Sequence, residues 1–243
     1  MNRLLFRSCL SVVLFFCAGI CGPVRAAVIY SQTTPSPPLG ASSSIDQGSP
    51  TDPKIADNFL FNTPGSATIR SIRFIGGYGN RTPPPNTPPL NALPSDDFHV
   101  MFYADAAGAP GVPLAGGDFH VGPPVQRTPT GGPLLNGIVT PIEYFIDLGT
   151  GLNVSAGTPY WLSIVNNPGP NYGWAWARGA GVYDQQVAAT LGDVSTGPWS
   201  VNTAGGMFFE LSDNNVPEPI SFGIFLAGAC GMWWMRLIRR PIR

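Results

Sequence analysis

Glycine and proline decide what this chain can fold into. The 243 residues include 30 glycines and 27 prolines, spread through the middle of the chain so that no segment between residues 27 and 216 sustains a helical 3.6-residue period. Proline removes an amide donor and glycine costs about 1 kcal/mol in a helix interior, so windows of helix length are broken repeatedly. What survives between the breaks is short, apolar and alternating. In Asp97–Tyr103, Phe98, Val100 and Phe102 share one face while His99, Met101 and Tyr103 share the other. Ile142–Leu148 places Ile142, Tyr144, Ile146 and Leu148 on one face, and Thr158–Val165 sets Tyr160, Leu162 and Ile164 opposite Trp161. Strand segments are also read at 27–31, 55–61, 67–75, 118–121, 172–176 and 207–211. Segments 32–53 and 82–94 are rich in Pro, Ser and Thr and read as a long loop and an extended polyproline excursion. Eight to ten short strands separated by turn signals predict an all-β domain, a single jelly-roll-like β-sandwich.

Both ends of the chain differ from this middle. At the N-terminus, Arg3 and Arg7 precede an apolar stretch, Leu10–Ile20, and Val24-Arg25-Ala26 supplies a small-residue cleavage site. Residues 1–26 therefore read as a secretory signal peptide, with Ala27 as the first mature residue. At the C-terminus, Val216-Pro217-Glu218-Pro219 is followed by an uncharged apolar run, Ile220–Met235, and then by Arg236, Arg239, Arg240 and Arg243. Sixteen residues at about 1.5 Å each give roughly 24 Å, short of a hydrocarbon core of about 30 Å. Leu237 and Ile238 extend the run to residues 220–238 if Arg236 snorkels to the interface. Arginines after an apolar run stay on the cytoplasmic side and leave the rest of the chain outside.

This tripartite tail, residues 216–243, resembles the PEP-CTERM sorting signal of Gram-negative bacteria. The resemblance rests on motif, apolar span, basic tail and terminal position together. It implies recognition by a membrane-embedded exosortase after passage through the secretory translocon. It also implies a transient C-terminal transmembrane helix, cleavage near the motif, and an inner-membrane precursor that becomes a cell-surface or extracellular-matrix protein. Within 27–215, Ala56-Asp57-Asn58-Phe59, Gly76-Gly77-Tyr78, the 102–111 turn region and Gly157–Leu162 resemble a β-sandwich module of PEP-CTERM exoproteins, a likeness that implies fold and transfers no activity.

Cysteine and charge follow the same partition. Cys9, Cys17 and Cys21 lie in the leader and Cys230 in the apolar tail, so the domain between them holds no disulfide. That stretch carries six basic and thirteen acidic residues, a formal balance of −7. An acidic domain with one lysine is a poor partner for nucleic acid or anionic lipid.

The search for chemistry gives little. There is no H-E-x-x-H, G-x-S-x-G or phosphate-binding glycine loop, and the sequence points to a non-enzymatic protein without a cofactor. A secreted hydrolase with an unrecognised site is the enzymatic alternative. His99 and His120 each stand in Asp-Phe-His-Val, and hairpin pairing would bring both imidazoles to one face, where Asp97 and Asp118 could complete a metal site. Two histidines are half a site, so the pair reads as structural and no metal is assigned. Asp96, Asp97 and Asp105 offer oxygen ligands for calcium without the spacing of a calcium loop, and turn capping accounts for them more simply. Tyr172, Trp174 and Trp176 alternate on one strand. Such a row can stack on sugar rings, making exopolysaccharide a candidate ligand, or it can be a core face, the commoner use.

Overall fold

Every regular element among the described residues is a β-strand. The computed structural model describes residues 27–32, 34–43, 53–81, 92–123, 125–136, 138–180, 187–191, 198–202 and 205–213. Residues 1–26, read above as a signal peptide, and residues 216–243, read as a sorting signal, lie outside them. Fourteen strands form two sheets in which the pairings are antiparallel. The first sheet holds β1 (Val28–Gln32), β2 (Thr34–Ser42), β4 (Ser66–Asn80), β7 (Gln126–Pro129), β8 (Ile142–Ser155), β10 (Tyr172–Ala180), β13 (Gly206–Met207) and β14 (Phe209–Ser212). Its order is β1-β14-β4-β10-β13, with β8 also on β4, β7 on β8 and β2 on β10. The second runs β12 (Ser200–Asn202), β11 (Val187–Leu191), β3 (Pro53–Leu60), β9 (Pro159–Asn166), β5 (Phe98–Asp105), β6 (Pro110–Val121).

β4 is the backbone of the first sheet. Along one edge it pairs with β8 from Ser66 to Gly76. Along the other it pairs with β14 at Ser71–Phe74 and then with β10 at Gly76–Asn80. Its apolar half was legible in the sequence, and its extension through Gly76-Gly77-Tyr78-Gly79 was not, because glycine reads as a break. The structure shows why the glycines are there. A Cβ at Gly76 would come within 2.3 Å of Trp174 Cζ2, and one at Gly77 within 2.4 Å of the Thr140 carbonyl oxygen. Gly76→Ala should therefore destabilise the domain by about 1–3 kcal/mol through displacement of Trp174, read by urea unfolding. A cost near zero would show that the indole has room to move.

Two sequence expectations are corrected here. Segment 32–53 was expected to be loop, yet Thr34–Ser42 is a strand despite its three prolines. Among the described residues it pairs with β10 alone, and its register slips between the partners Ala177 and Gly179. Proline is tolerated where one edge needs no donors, which is where β2 lies. The second correction is β8, read as Ile142–Leu148, which continues to Ser155. Gly149 and Gly151 take φ of +66° and +73°, and the register against β4 shifts between Ile69 and Ser71. The strand runs on through a bulge rather than ending at the glycines. The strands β7, β11 and β12 were not read at all; they are short and carry little alternation.

One core is shared by both sheets. Phe59 and Phe102 of the second sheet meet edge to face at 6.1 Å, and Phe59 meets Phe209 of the first at 6.3 Å. Phe98 of the second sheet packs edge-on to Trp174 and Tyr144 of the first, at 5.4 and 5.1 Å. Each such ring contributes about 1.5–3 kcal/mol by leaving water, which is how a domain without disulfides holds together. The alternation read in β5, β8 and β9 fixes which side chains point inward: Phe98, Val100, Phe102, Ile142, Tyr144, Ile146, Leu162 and Ile164 are all buried in this cluster. A smaller cluster covers the reverse side of the second sheet, where Met101, Tyr103, Trp161, Ala56 and Ala188 pack with Trp199. Two sheets over one core fit a β-sandwich. Residues Ala27–Val216 partition as a single unit.

Candidate functional site

The aromatic row comes first, because the sequence left it open between a sugar platform and a core face. Trp174 is 1% exposed and Trp176 0%. Trp174 meets Phe74 edge-on at 6.0 Å, while the Trp176 indole lies 5.9 Å from Phe209 and donates its N–H to the Phe208 carbonyl. Neither indole has a face at the surface, so stacking on a sugar is not available to them. Tyr172, at the start of β10, is half-buried and packs against the edge of the same core. The glycan candidate is corrected for Trp174 and Trp176, which take the core face, and Gly76 leaves the space that the Trp174 ring fills.

The two histidines do meet. β5 and β6 pair His99 directly with His120, and the rings stack at 4.0 Å with 26° between their planes. Asp118 lies two residues before His120, on the same face of β6. Its Oδ1 is 2.5 Å from His99 Nε2 and 3.8 Å from His120 Nε2. Asp97 takes no part. Antiparallel pairing sets the two copies of Asp-Phe-His-Val head to tail, which puts the aspartates at opposite ends of the histidine pair. Asp97 accepts instead from Asn167 Nδ2 at 3.1 Å, and its amide donates to Asn166 Oδ1 at 3.0 Å.

The carboxylates weighed for calcium are engaged as well. Asp105 caps the β5–β6 turn by accepting from the Gly108 amide at 3.1 Å, and its other oxygen accepts from the Trp161 indole at 2.8 Å.

A third cluster was not foreseen. Asp96 is 3% exposed and precedes β5. Tyr78 donates to its Oδ1, and Arg127 Nε donates to its Oδ2 at 2.6 Å. A second arginine nitrogen donates to the Pro94 carbonyl at 2.6 Å, and the guanidinium carbon stands 5.6 Å from the centre of the Tyr78 ring. Asn166 Nδ2 donates to the Tyr78 hydroxyl at 2.6 Å. Burial pushes the Tyr78 hydroxyl far above its usual pKa, with the charges on Tyr144 and Asp96 adding to the effect. Burial works against the Arg127 charge, but the hydrogen bond and charge of Asp96 outweigh it and raise its pKa. A groove of about 260 Å³, lined by Leu93–Asp96, Pro123, Val125 and Arg127, opens beside the pair. Tyr78, Asp96 and Arg127 satisfy one another, so the arrangement fixes the segment entering β5 against β7. Nothing in the sequence could have paired residues 78, 96 and 127, which come from three separate elements.

No helix among the described residues is long and apolar enough to cross a membrane, and the 220–238 span, Val216–Pro219 and Arg236, Arg239, Arg240 and Arg243 lie outside those residues. No family model, curated protein or solved structure matches the chain.

Proposed function

We propose that this is a non-enzymatic, exported surface or extracellular-matrix protein with a jelly-roll-like β-sandwich ectodomain, sorted through its C-terminal signal by an exosortase. The carrying observation is the ordered tail: Val216–Pro219, the apolar run 220–235, and the arginines at 236, 239, 240 and 243. Proline on either side of Glu218 disfavours helix, which keeps the motif extended and open to a processing enzyme. The arginines hold the precursor in the inner membrane until cleavage releases the domain.

The ectodomain supports this reading through the way its ends close. β1 and β14, its first and last strands, pair with each other. The Ala27 amide donates to Asp213 Oδ1 at 2.9 Å, and the Asp213 amide donates to the Ala27 carbonyl at 3.2 Å. The first and last described strands pair with each other, so losing residues 1–26 or 216–243 removes none of the described strands. Cleavage after Ala26 would convert the Ala27 amide into an α-ammonium beside that carboxylate, a stronger charge-assisted bond.

Fractionation and immunoblotting in a host that carries an exosortase test the proposal. Wild-type protein is expected in two forms, a full-length inner-membrane precursor and a shorter surface or released form. Glu218→Ala keeps the span and the arginines, so it should leave insertion intact and shift most of the protein into the precursor. If the wild-type chain stays full length in the inner membrane, the tail is a permanent anchor and the proposal fails.

A further inference from the structure

The geometry points to a binding site for one divalent transition-metal ion, of the zinc and copper kind, formed by His99, Asp118 and His120 on the outer face of the second sheet. The sequence suggested a structural histidine pair with no metal, because two histidines supply only half a ligand set. The fold supplies the third ligand. One ligand atom from each of the three residues lies within 4.8 Å of the other two. Tetrahedral coordination at about 2.0–2.1 Å sets ligand atoms roughly 3.3 Å apart. The His120–Asp118 separation of 3.8 Å is close to that, and the 2.5 Å His99–Asp118 contact has to open by less than an ångström.

The surroundings allow that adjustment. Side-chain exposure rises from 22% for His99 to 51% for Asp118 and 71% for His120, so the outer two ligands can rotate and an ion can enter from solvent. The backbone beneath them is fixed: His99 is paired with His120 on one side and with Val165 of β9 on the other. Two imidazoles and one carboxylate select borderline ions over calcium or magnesium, which take oxygen ligands. Three protein ligands on an open face leave at least one coordination position for water or a further ligand, as in sites that bind or exchange rather than purely structural ones. The acidic balance of the domain also favours approach of a cation.

The test is calorimetric titration of ZnCl₂ into the full chain, purified in detergent without a polyhistidine tag and stripped with EDTA. Binding of about one zinc per chain at micromolar affinity is expected. Asp118→Asn should weaken it at least tenfold, and His99→Gln with His120→Gln should abolish saturable binding. All three positions are on the outer face, so the variants should keep the wild-type melting temperature. His120→Gln alone, at the most exposed of them, provides a folded comparison in any case. With Cu(II) replacing zinc, electron paramagnetic resonance should show nitrogen coupling that the double variant lacks. Absence of saturable binding up to about 1 mM, or undiminished binding in the double variant, overturns the assignment.

Discussion

Arg127→Met is expected to destabilise the β domain by about 3–5 kcal/mol, with the midpoint of urea unfolding read from the buried tryptophans. The substitution keeps the volume and the apolar stem but removes the charge. Asp96 then remains 3% exposed with its Oδ2 stripped of the 2.6 Å guanidinium bond. An ion pair at the surface would cost about 0–1 kcal/mol on the same change, so the size of the loss separates a buried anchor from a surface contact. Arg127 is itself a quarter exposed, which places the expected value toward the lower end of the range. Asp96→Asn combined with Arg127→Met should recover part of the loss, because no carboxylate is then left buried. A loss below about 1 kcal/mol for Arg127→Met, or strictly additive costs in the double variant, would show that the pair does not hold the β5 entry in place.

The domain should also lose stability steeply above pH 10, by up to about 4 kcal/mol per pH unit. Tyr78, Tyr103 and Tyr144 are each fully buried, and burial raises all three hydroxyls well above the ordinary tyrosine value near 10. Neighbouring charge adds to the shift, from Tyr144 and Asp96 at Tyr78, from Asp118 at Tyr103 and from Asp96 at Tyr144. Below pH 10 the folded and unfolded chains both hold these three protons, and stability is unaffected by them. Above it the unfolded chain releases them while the folded chain keeps them, so rising pH favours unfolding by about 1.4 kcal/mol per unit for each. Urea midpoints at pH 9, 10 and 11 measure the slope. Tyrosinate absorbance near 295 nm should show these residues titrating only as the fold is lost. Tyr103→Phe should reduce the slope by about a third. A flat profile to pH 11 would mean that the hydroxyls reach solvent in the folded state.

The class of fold was written in local pattern. Alternation in β5, β8 and β9 is a property of neighbours in sequence, and a strand sends alternate side chains to opposite faces wherever it lies. The inward faces of Phe98, Val100 and Phe102 and of Ile142, Tyr144 and Ile146 could therefore be assigned before any partner was known. Turn chemistry is equally local, and Asp105 caps its turn as its residue type suggested. The meeting of His99 and His120 was legible for a related reason, since a hairpin fixes its own register and the repeated tetrapeptide marked both ends.

What only the tertiary structure decided depends on contacts between distant segments. Glycine in β4 and β8 and proline in β2 read as interruptions, because propensity describes an isolated chain. A bulge, a close-packed indole or an unpaired edge changes what those residues cost. The Tyr172, Trp174 and Trp176 row had the same pattern whether it faced sugar or core, and burial between the two sheets settled both indoles into the core, with Gly76 of β4 making room for Trp174. Antiparallel pairing set the two aspartates at opposite ends of the histidine pair, and Asp118 joined the rings while Asn167, just after β9, took up Asp97. Asp96, Tyr78 and Arg127 come together across 49 residues of chain, from two strands of the first sheet and the segment that enters β5. Periodicity sets which way a side chain points, but the identity of its partner is fixed by long-range register and packing, which no local pattern carries.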